Sequence, residues 1–426
     1  MRAIGIDVHR DFCELAISEG GRLRSAGRVP STPEQLELLA QSLGPDDEVA
    51  LETTGNALAI AHILAPRAGR VVVASAKELH AITGAKAKTD RRDARTLAKL
   101  LAAGLLEGTW LPDEATRALR RRLQRREQLV RQRSRLKNEI HATLYRNLAG
   151  AGPASDLFGT AGRRWLAGLA LPADERETID GCLRVLDFLG EEVDRLEQAV
   201  AGQALVSPEI RRLVTIPGVN LITAATLMAV IGDVGRFASA RKLVGYLGLD
   251  PRVRQSGSSP ARTGRISKEG AASARRVLCE AAQAAMRTPG PLRAFGQRVR
   301  ARRGHQVAVV AVARKLASLA WRLLTSGQDY AYASPSRVAL KLRRIELRAG
   351  MSRQRGRRSN ATLNTQRERE RELALAAERA YQRLVSDWQA GAKKDKGAGA
   401  ATGRASEGVP EEPSSAADPQ APASAL

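Results

Sequence analysis

Leu186, Leu189, Val193, Leu196 and Val200 follow one another at intervals of three, four, three and four residues. That alternation holds one apolar seam in line along a helix, and such a seam is covered by another helix. A partner stands upstream. From about Ala115 to Leu148 the chain reads as one long helix, with Leu129, Leu136, Ile140, Leu144 and Leu148 along an apolar stripe. "GPASDLFG" and the Gly- and Arg-containing stretch after it separate the two. Residues 113–206 are therefore expected to form a helical coiled-coil connector, closing within one chain or between chains. The flanking segments must fold as units on either side of it.

Residues 1–112 read as α/β. "AIGIDV" is a short apolar strand, "CELAIS" its hairpin partner, and "RLRSAGRV" a third strand. "TPEQLELLAQSL" has helical spacing behind a Ser/Thr start, and "EVALE" is a strand ending in a carboxylate. "TTGNALAIAHILA" turns into a helix, "RVVVAS" is another buried strand, and "DRRDARTLAKLLAAG" is a helix with a glycine stop. A third unit, 207–335, opens with "RRLVTIPGVNLITAATLMAVIGD", a helix, a Pro-Gly-Val turn and a second helix. Residues 336–426 read as a basic and then low-complexity tail, largely disordered. "KLRRIELRAGMSRQRGRR" carries eight basic residues and one acid, "NTQREREREL" alternates charge with helical potential, and after about Gly391 no apolar period remains.

The chain has 426 residues, with 69 Lys+Arg against 45 Asp+Glu and a formal net charge of +24. A field of that sign gathers polyanions. No apolar run reaches the roughly 18 residues of a membrane span, and "MRAIGIDVHR" reads as a strand rather than a signal peptide. Nucleic acid is thus the expected partner, and no membrane. Cys13, Cys182 and Cys279 form no CxxC pair, which excludes an obvious zinc site or disulfide framework and suits a cytoplasmic location.

Four carboxylates are placed for chemistry. Asp7 ends one strand, Glu52 ends another, and Asp90 and Asp93 stand three apart at a helix start, on one face. Polar ends of buried strands converge at one sheet edge. Oxygen ligands at that density suit Mg²⁺ or Mn²⁺, which serve phosphodiester cleavage. Each acid also has a plain structural reading, as a turn residue or a helix cap. Asp11 and Glu14 lie near enough that spacing alone does not select the set, and His9 reads as a turn residue.

"VRQSGSSPARTGRISK", 253–268, sets small hydroxyls among cations. Arg252, Arg254, Arg262, Arg265 and Lys268 surround Ser256 and Gly257. Such crowding anticipates an anion. The stretch reads either as a phosphate-binding loop without chemistry or as a nucleophile's seat. No histidine lies near Ser256 in sequence, so a His-based triad is unsupported. Gly218 in the Pro-Gly-Val turn resembles half of a helix-hairpin-helix, able to offer backbone N–H groups to phosphate, or it forms an ordinary tight turn. Ten Arg/Lys between Arg117 and Lys137, Arg121 and Arg125 among them, face one acid, Glu127. That face is either solvated or contacts RNA or DNA phosphates.

"IGIDVHRD", "ALETTGN" and "AKAKTDRRDARTLAKLL" together resemble the RuvC-like domain of the insertion sequence 110 family of transposases, the DEDD enzymes related to Piv DNA invertases. "IPGVNLITAATLMAVIGDVGRFASARKLVGYLGLDPRVRQSGSSPARTGRISKEG" resembles the family's C-terminal transposase domain. The blocks occur in family order over about residues 1–330. The resemblance implies a RuvC-like (RNase H-like) α/β domain, a helical connector, and a mainly α transposase domain. It implies a recombinase of donor and target DNA, guided by a structured bridge RNA and acting as homodimers that pair into tetramers. The family's metal-binding acids fall on Asp7, Glu52, Asp90 and Asp93, and its nucleophile on Ser256. Acids and serine would then come from different protomers.

Two rivals remain at this level. A metal-dependent nuclease of the Holliday-junction-resolvase type would cut with water and leave no protein–DNA adduct. An inactive nucleic-acid-binding remnant would not cut at all.

Overall fold

The computed structural model describes residues 1–76, 79, 89–150, 152, 155–352 and 360–401. The chain divides into two compact units, the first ending at Asp113 and the second beginning at Glu114.

In the first unit, β1 (Ala3–Val8), β2 (Phe12–Glu19) and β3 (Arg22–Pro30) form an antiparallel meander, and β4 (Glu48–Glu52) and β5 (Arg70–Ala74) add parallel to β1. The sheet order is β3-β2-β1-β4-β5. Thr32 caps α1 (Pro33–Gln41), its hydroxyl accepting from the Gln35 N–H. With α2 (Ala57–Leu64), α1 covers one face of the sheet, where Ile4, Ile6, Leu15, Val49, Leu51 and Val73 form a core. The opposite face packs on α3 (Asp90–Ala102) through Ala3, Ala50, Val72, Leu97 and Leu101. The central strands β1 and β4 are covered on both faces and read as near-continuous apolar runs, whereas the edge strand β3 is largely exposed.

The start of β1 is pinned by Asp47, whose carboxylate accepts from Arg2 Nε at 2.9 Å and from the Gly44 N–H at 2.8 Å. Hydrogen bonding to Arg2 holds this carboxyl at about 2. The folded value lies below the unfolded one near 3.8, so the stabilisation is fully present above about pH 4 and is lost as pH falls through 2. Asp47→Asn is expected to cost about 2 kcal/mol at neutral pH and little near pH 2. Exchange of the β1 and β4 amides at both pH values reads it, and a pH-independent cost would refute it.

The second unit opens on α4 (Glu114–Arg146), a short α5 (Thr160–Ala167) and α6 (Ala173–Val206). The α6 seam closes against α4 of the same chain. Leu129 packs with Leu189 and Val193, and Ile140 and Leu144 pack with Ile179, Cys182 and Leu186. Arg126 pairs with Glu197 at 2.6 Å, so the helices run antiparallel. Of the two pairings open at the sequence level, the one within the chain is realised.

Next come α7 (Pro208–Val214), α8 (Leu221–Ile231), a 3₁₀ turn (Val234–Arg236) and α9 (Ala240–Tyr246). β6 (Pro251–Arg254) and β7 (Arg262–Ile266) make a ribbon, followed by α10 (Ala272–Ala285), α11 (Pro291–Arg303) and α12 (His305–Ser326). Helix α8 is apolar all round and sits in the core of this unit with Leu213, Leu278 and Leu316. Among the described residues no helix is long and apolar enough to cross a membrane.

The expectation of a largely disordered tail from 336 needs correction. α13 (Pro335–Arg348) buries Ile345, and its Lys341 Nζ donates to the Val214 and Ile216 carbonyls at 2.8 Å. Burial pushes that amine down to about 8. α14 (Asn360–Ala401) runs past Gly391 and packs Tyr381 and Val385 against Ala294. Glu370 accepts from the Ser336 N–H at 3.0 Å, and Glu378 accepts from the Gly290 N–H at 3.1 Å and Arg293 Nε at 3.0 Å. The low apolar count of this segment conceals its order, because two glutamates, Glu370 in the charge-alternating run and Glu378 just beyond it, are anchors on helix starts elsewhere in the unit. Residues 402–426, and part of the basic run before α14, lie outside the described residues.

Glu378→Ala strands Arg293 and an amide, at an expected cost of about 2 kcal/mol. Faster hydrogen exchange along α14 is the readout. Unchanged exchange would mean the anchor is dispensable.

Candidate active site

Gly5 positions the acidic cluster. A Cβ there would lie 2.1 Å from the Ala94 carbonyl oxygen and 2.4 Å from the Ala98 nitrogen, so α3 rests directly on the β1 backbone. Asp7 follows two residues later on the same face. The first turn of α3 carries Asp90 and Asp93. β2 sets Glu14 opposite Asp7. On the other side, Ile6 pairs with Leu51, so Glu52 stands one step along, beside Asp7. Asp7 and Glu14 thus meet across β1 and β2 beneath a helix start bearing two more acids, while Glu52, at the end of β4, stays outside the group of ligand atoms that come within 4.8 Å of one another.

The members differ in how their charge is met. Glu14 is buried and receives Arg28 Nε at 2.8 Å, with Arg91 Nε at 3.7 Å, so it is already neutralised. Asp11 is 87% exposed and lies outside the cluster. Asp7 is buried at 7% exposure. Burial pushes its carboxyl up; His9 opposes the shift, while Asp93 and Asp90 add to it. Asp93 Oδ2 is buried without a hydrogen-bond partner among the described residues. Asp90 has Arg28 Nη2 at 3.9 Å, whereas Asp7 and Asp93 have no Lys or Arg partner among the described residues.

His9 is a turn residue, as expected, in its backbone: its N–H donates to the Phe12 carbonyl at 3.0 Å. Its ring does more. Nε2 lies 3.1 Å from Asp7 Oδ2 and 3.3 Å from Asp90 Oδ1, bridging the two acids. The Asp7, His9 and Asp90 ligand atoms fall within 4.8 Å of one another, close enough to share a metal ion. The signal was present in the spacing, since a histidine two residues past a strand-ending aspartate can reach back to it.

On the second unit, Ser256 sits at the tip of the β6–β7 ribbon. Ser256 and Gly257 are exposed, and nothing lies within 4 Å of the space a Gly257 Cβ would take. No side-chain hydrogen bond holds the Ser256 hydroxyl among the described residues. Ser267, by contrast, donates to Asp250 Oδ1 at 2.7 Å. Arg254 stands directly opposite Arg262, a like-charge pair that weakens a ribbon unless an anion joins it. Arg252 donates to the Ser267 carbonyl at 3.1 Å, Arg265 lies exposed on β7, and Lys268 marks the ribbon base in left-handed conformation at φ +58°.

Gly218 is fixed by packing. Its φ is +85°, and a Cβ would meet the Ala281 carbonyl oxygen at 2.1 Å. Asn220 caps α8, its side chain accepting from the Thr223 N–H at 2.9 Å. Arg121 and Arg125 are exposed on α4, the first paired with Glu114 at 2.6 Å and the second donating to Gln128 at 3.0 Å. Others of that run are committed to the fold, such as Arg120, which donates to the Ala229 carbonyl at 2.5 Å.

Comparison with known proteins covers both halves. The DEDD transposase profile of the IS110 group matches residues 4–147, and the profile described as Transposase IS116/IS110/IS902 family matches 210–297. The relative y4qE of Sinorhizobium fredii is 27% identical over 285 residues, 66% of this chain and 70% of its own. The transposase for insertion sequence element IS1111A of Coxiella burnetii is 29% identical over 57% of this chain and 68% of its own. A pilin gene-inverting protein of Moraxella lacunata is 42% identical over 66 residues, 16% of this chain and 20% of its own. With both profiles matched in order along one chain, the chain belongs to the IS110 family of transposases.

Proposed function

We propose that the chain is an RNA-guided DNA recombinase in which Ser256 attacks a DNA phosphodiester and Asp7, Glu52, Asp90 and Asp93 hold Mg²⁺ or Mn²⁺. The carrying observation is the under-neutralised carboxylate cluster, with the unpartnered Asp93 oxygen and the bridging His9 at its centre. The donor set fits a divalent cation: oxygen ligands, a surplus of negative charge and a buried orphan atom. When bound, such an ion neutralises the site and acidifies an attacking hydroxyl. The strand order, with three antiparallel strands followed by two parallel ones, supports a RuvC-like fold for the first unit.

The chain's own residues supply the rest. Ser256 Oγ forms a bond to phosphorus, and the bond to the 3′ oxygen breaks. That oxygen leaves as a free 3′ hydroxyl after taking a proton. The phosphoserine link keeps the bond energy, so the reverse attack rejoins a strand without ATP. Arg252, Arg254, Arg262, Arg265 and Lys268 orient and neutralise the phosphate. Gly218 enters as a backbone phosphate contact in a helix-hairpin-helix-like turn, and Arg121 and Arg125 as contacts to RNA or DNA backbone. The family resemblance extends the reading to a structured guide RNA, and to homodimers pairing into tetramers with acids and serine from different protomers. Sequencing RNA that copurifies with the chain tests the guide.

The central test is a suicide DNA substrate. Wild type should accumulate a covalent adduct that peptide mapping places on Ser256. Cleavage with no adduct would favour the water-using nuclease.

A further inference from the structure

Helix α3 carries two opposed sets of charge. Asp90 and Asp93 belong to the side that packs on the sheet with Ala94, Leu97 and Leu101. Arg91, Arg92, Arg95 and Lys99 project from the other side, where they line a groove of about 300 Å³ with Thr96 and with Leu23 of the edge strand β3. Leu23 packs against Ala94 and Ala98, which ties the strand to the helix. Arg92, Arg95 and Lys99 have no carboxylate partner among the described residues, and no acid lines the groove.

We propose that this groove grips the sugar-phosphate backbone of the DNA strand delivered to the carboxylates, a deepening that rests on the function proposed above. Three features argue for it. The cations from Arg92 to Lys99 cover about 10 Å of helix axis, enough for more than one phosphate. Among the described residues no aromatic side chain lines the groove, which offers charge and hydroxyls. It also begins beside the helix start that bears Asp90 and Asp93. A cluster of acids repels phosphate, and a cationic track on the same helix offsets that repulsion where the strand must approach. Grip of this kind is blind to sequence, in keeping with readout delegated elsewhere.

The test uses the full chain with Arg92→Gln, Arg95→Gln and Lys99→Gln combined, leaving Arg91 because it pairs with Glu14. Affinity for a short DNA duplex is measured by anisotropy across a salt series in EDTA, where no chemistry occurs. The slope of log affinity against log salt should shrink by about 2 to 3, since each phosphate that is no longer neutralised removes about 0.9. A matched RNA serves as the second arm. An unchanged DNA slope, or a weakening confined to RNA, overturns the proposal. The charge-keeping set Arg92→Lys, Arg95→Lys and Lys99→Arg should restore the slope, and failure to restore it also overturns the proposal. Because the readout needs neither metal nor serine, failure of the groove and failure of the serine mechanism stay distinguishable.

Discussion

Asp93→Asn should abolish metal-dependent strand cleavage, by roughly 10³-fold or more, while the protein becomes no less stable. The two halves of that result come from one cause. Asp93 helps push the Asp7 carboxyl up, so the two anions repel each other. Its own Oδ2 is buried without a partner among the described residues. A neutral amide of the same shape removes the repulsion, so the melting temperature should hold or rise. A residue that only caps α3 would behave oppositely, with lower stability and intact cleavage. Recombination at the wild-type rate by Asp93→Asn would remove it from the ligand set. Stability and activity moving in opposite directions is the mark of a group retained for chemistry.

Ser256→Ala should lose strand exchange altogether, with binding, assembly and melting unchanged. Ser256 is exposed and its hydroxyl holds nothing in place, so its removal has no structural cost. Ser267→Ala is the contrasting control. That hydroxyl bonds Asp250 at the ribbon base, so its loss should loosen the ribbon and lower activity only partly. An adduct remaining on Ser258 or Ser259 in the alanine variant would move the nucleophile along the tip. Full recombination by Ser256→Ala would end the serine mechanism.

The local elements were legible because each carries its own signal. Short apolar strands, the Thr32 cap and the heptad spacing of α6 are short-range facts, and all reappear as structure. Asp7, Asp90 and Asp93 were legible as strand-end and helix-start acids. Their convergence depended on Gly5, whose missing side chain lets α3 settle on β1; nothing local to Gly5 announces that. Glu14 could not be told from Asp7 by spacing, because what separates them is Arg28, fourteen residues along and across a strand. The C-terminal helices escaped for the same reason. Glu370 and Glu378 find their partners 34 and 88 residues away, at Ser336 and Gly290, and composition is blind to that distance.

Helix α3 also sets a constraint on length. Its inner acids and outer cations are separated by rotation alone, about 100° per residue. Inserting one residue between Asp93 and Leu97 would keep every side chain in the segment, yet turn the helix start by that angle relative to the part packed on the sheet. The carboxylates would swing towards solvent, and the arginines would be carried towards Asp7. Point changes on the outer side can be absorbed one at a time, whereas a single in-frame codon gained or lost there would disable both sides at once. Variation in this segment should therefore accumulate as substitutions and never as a change in the number of residues.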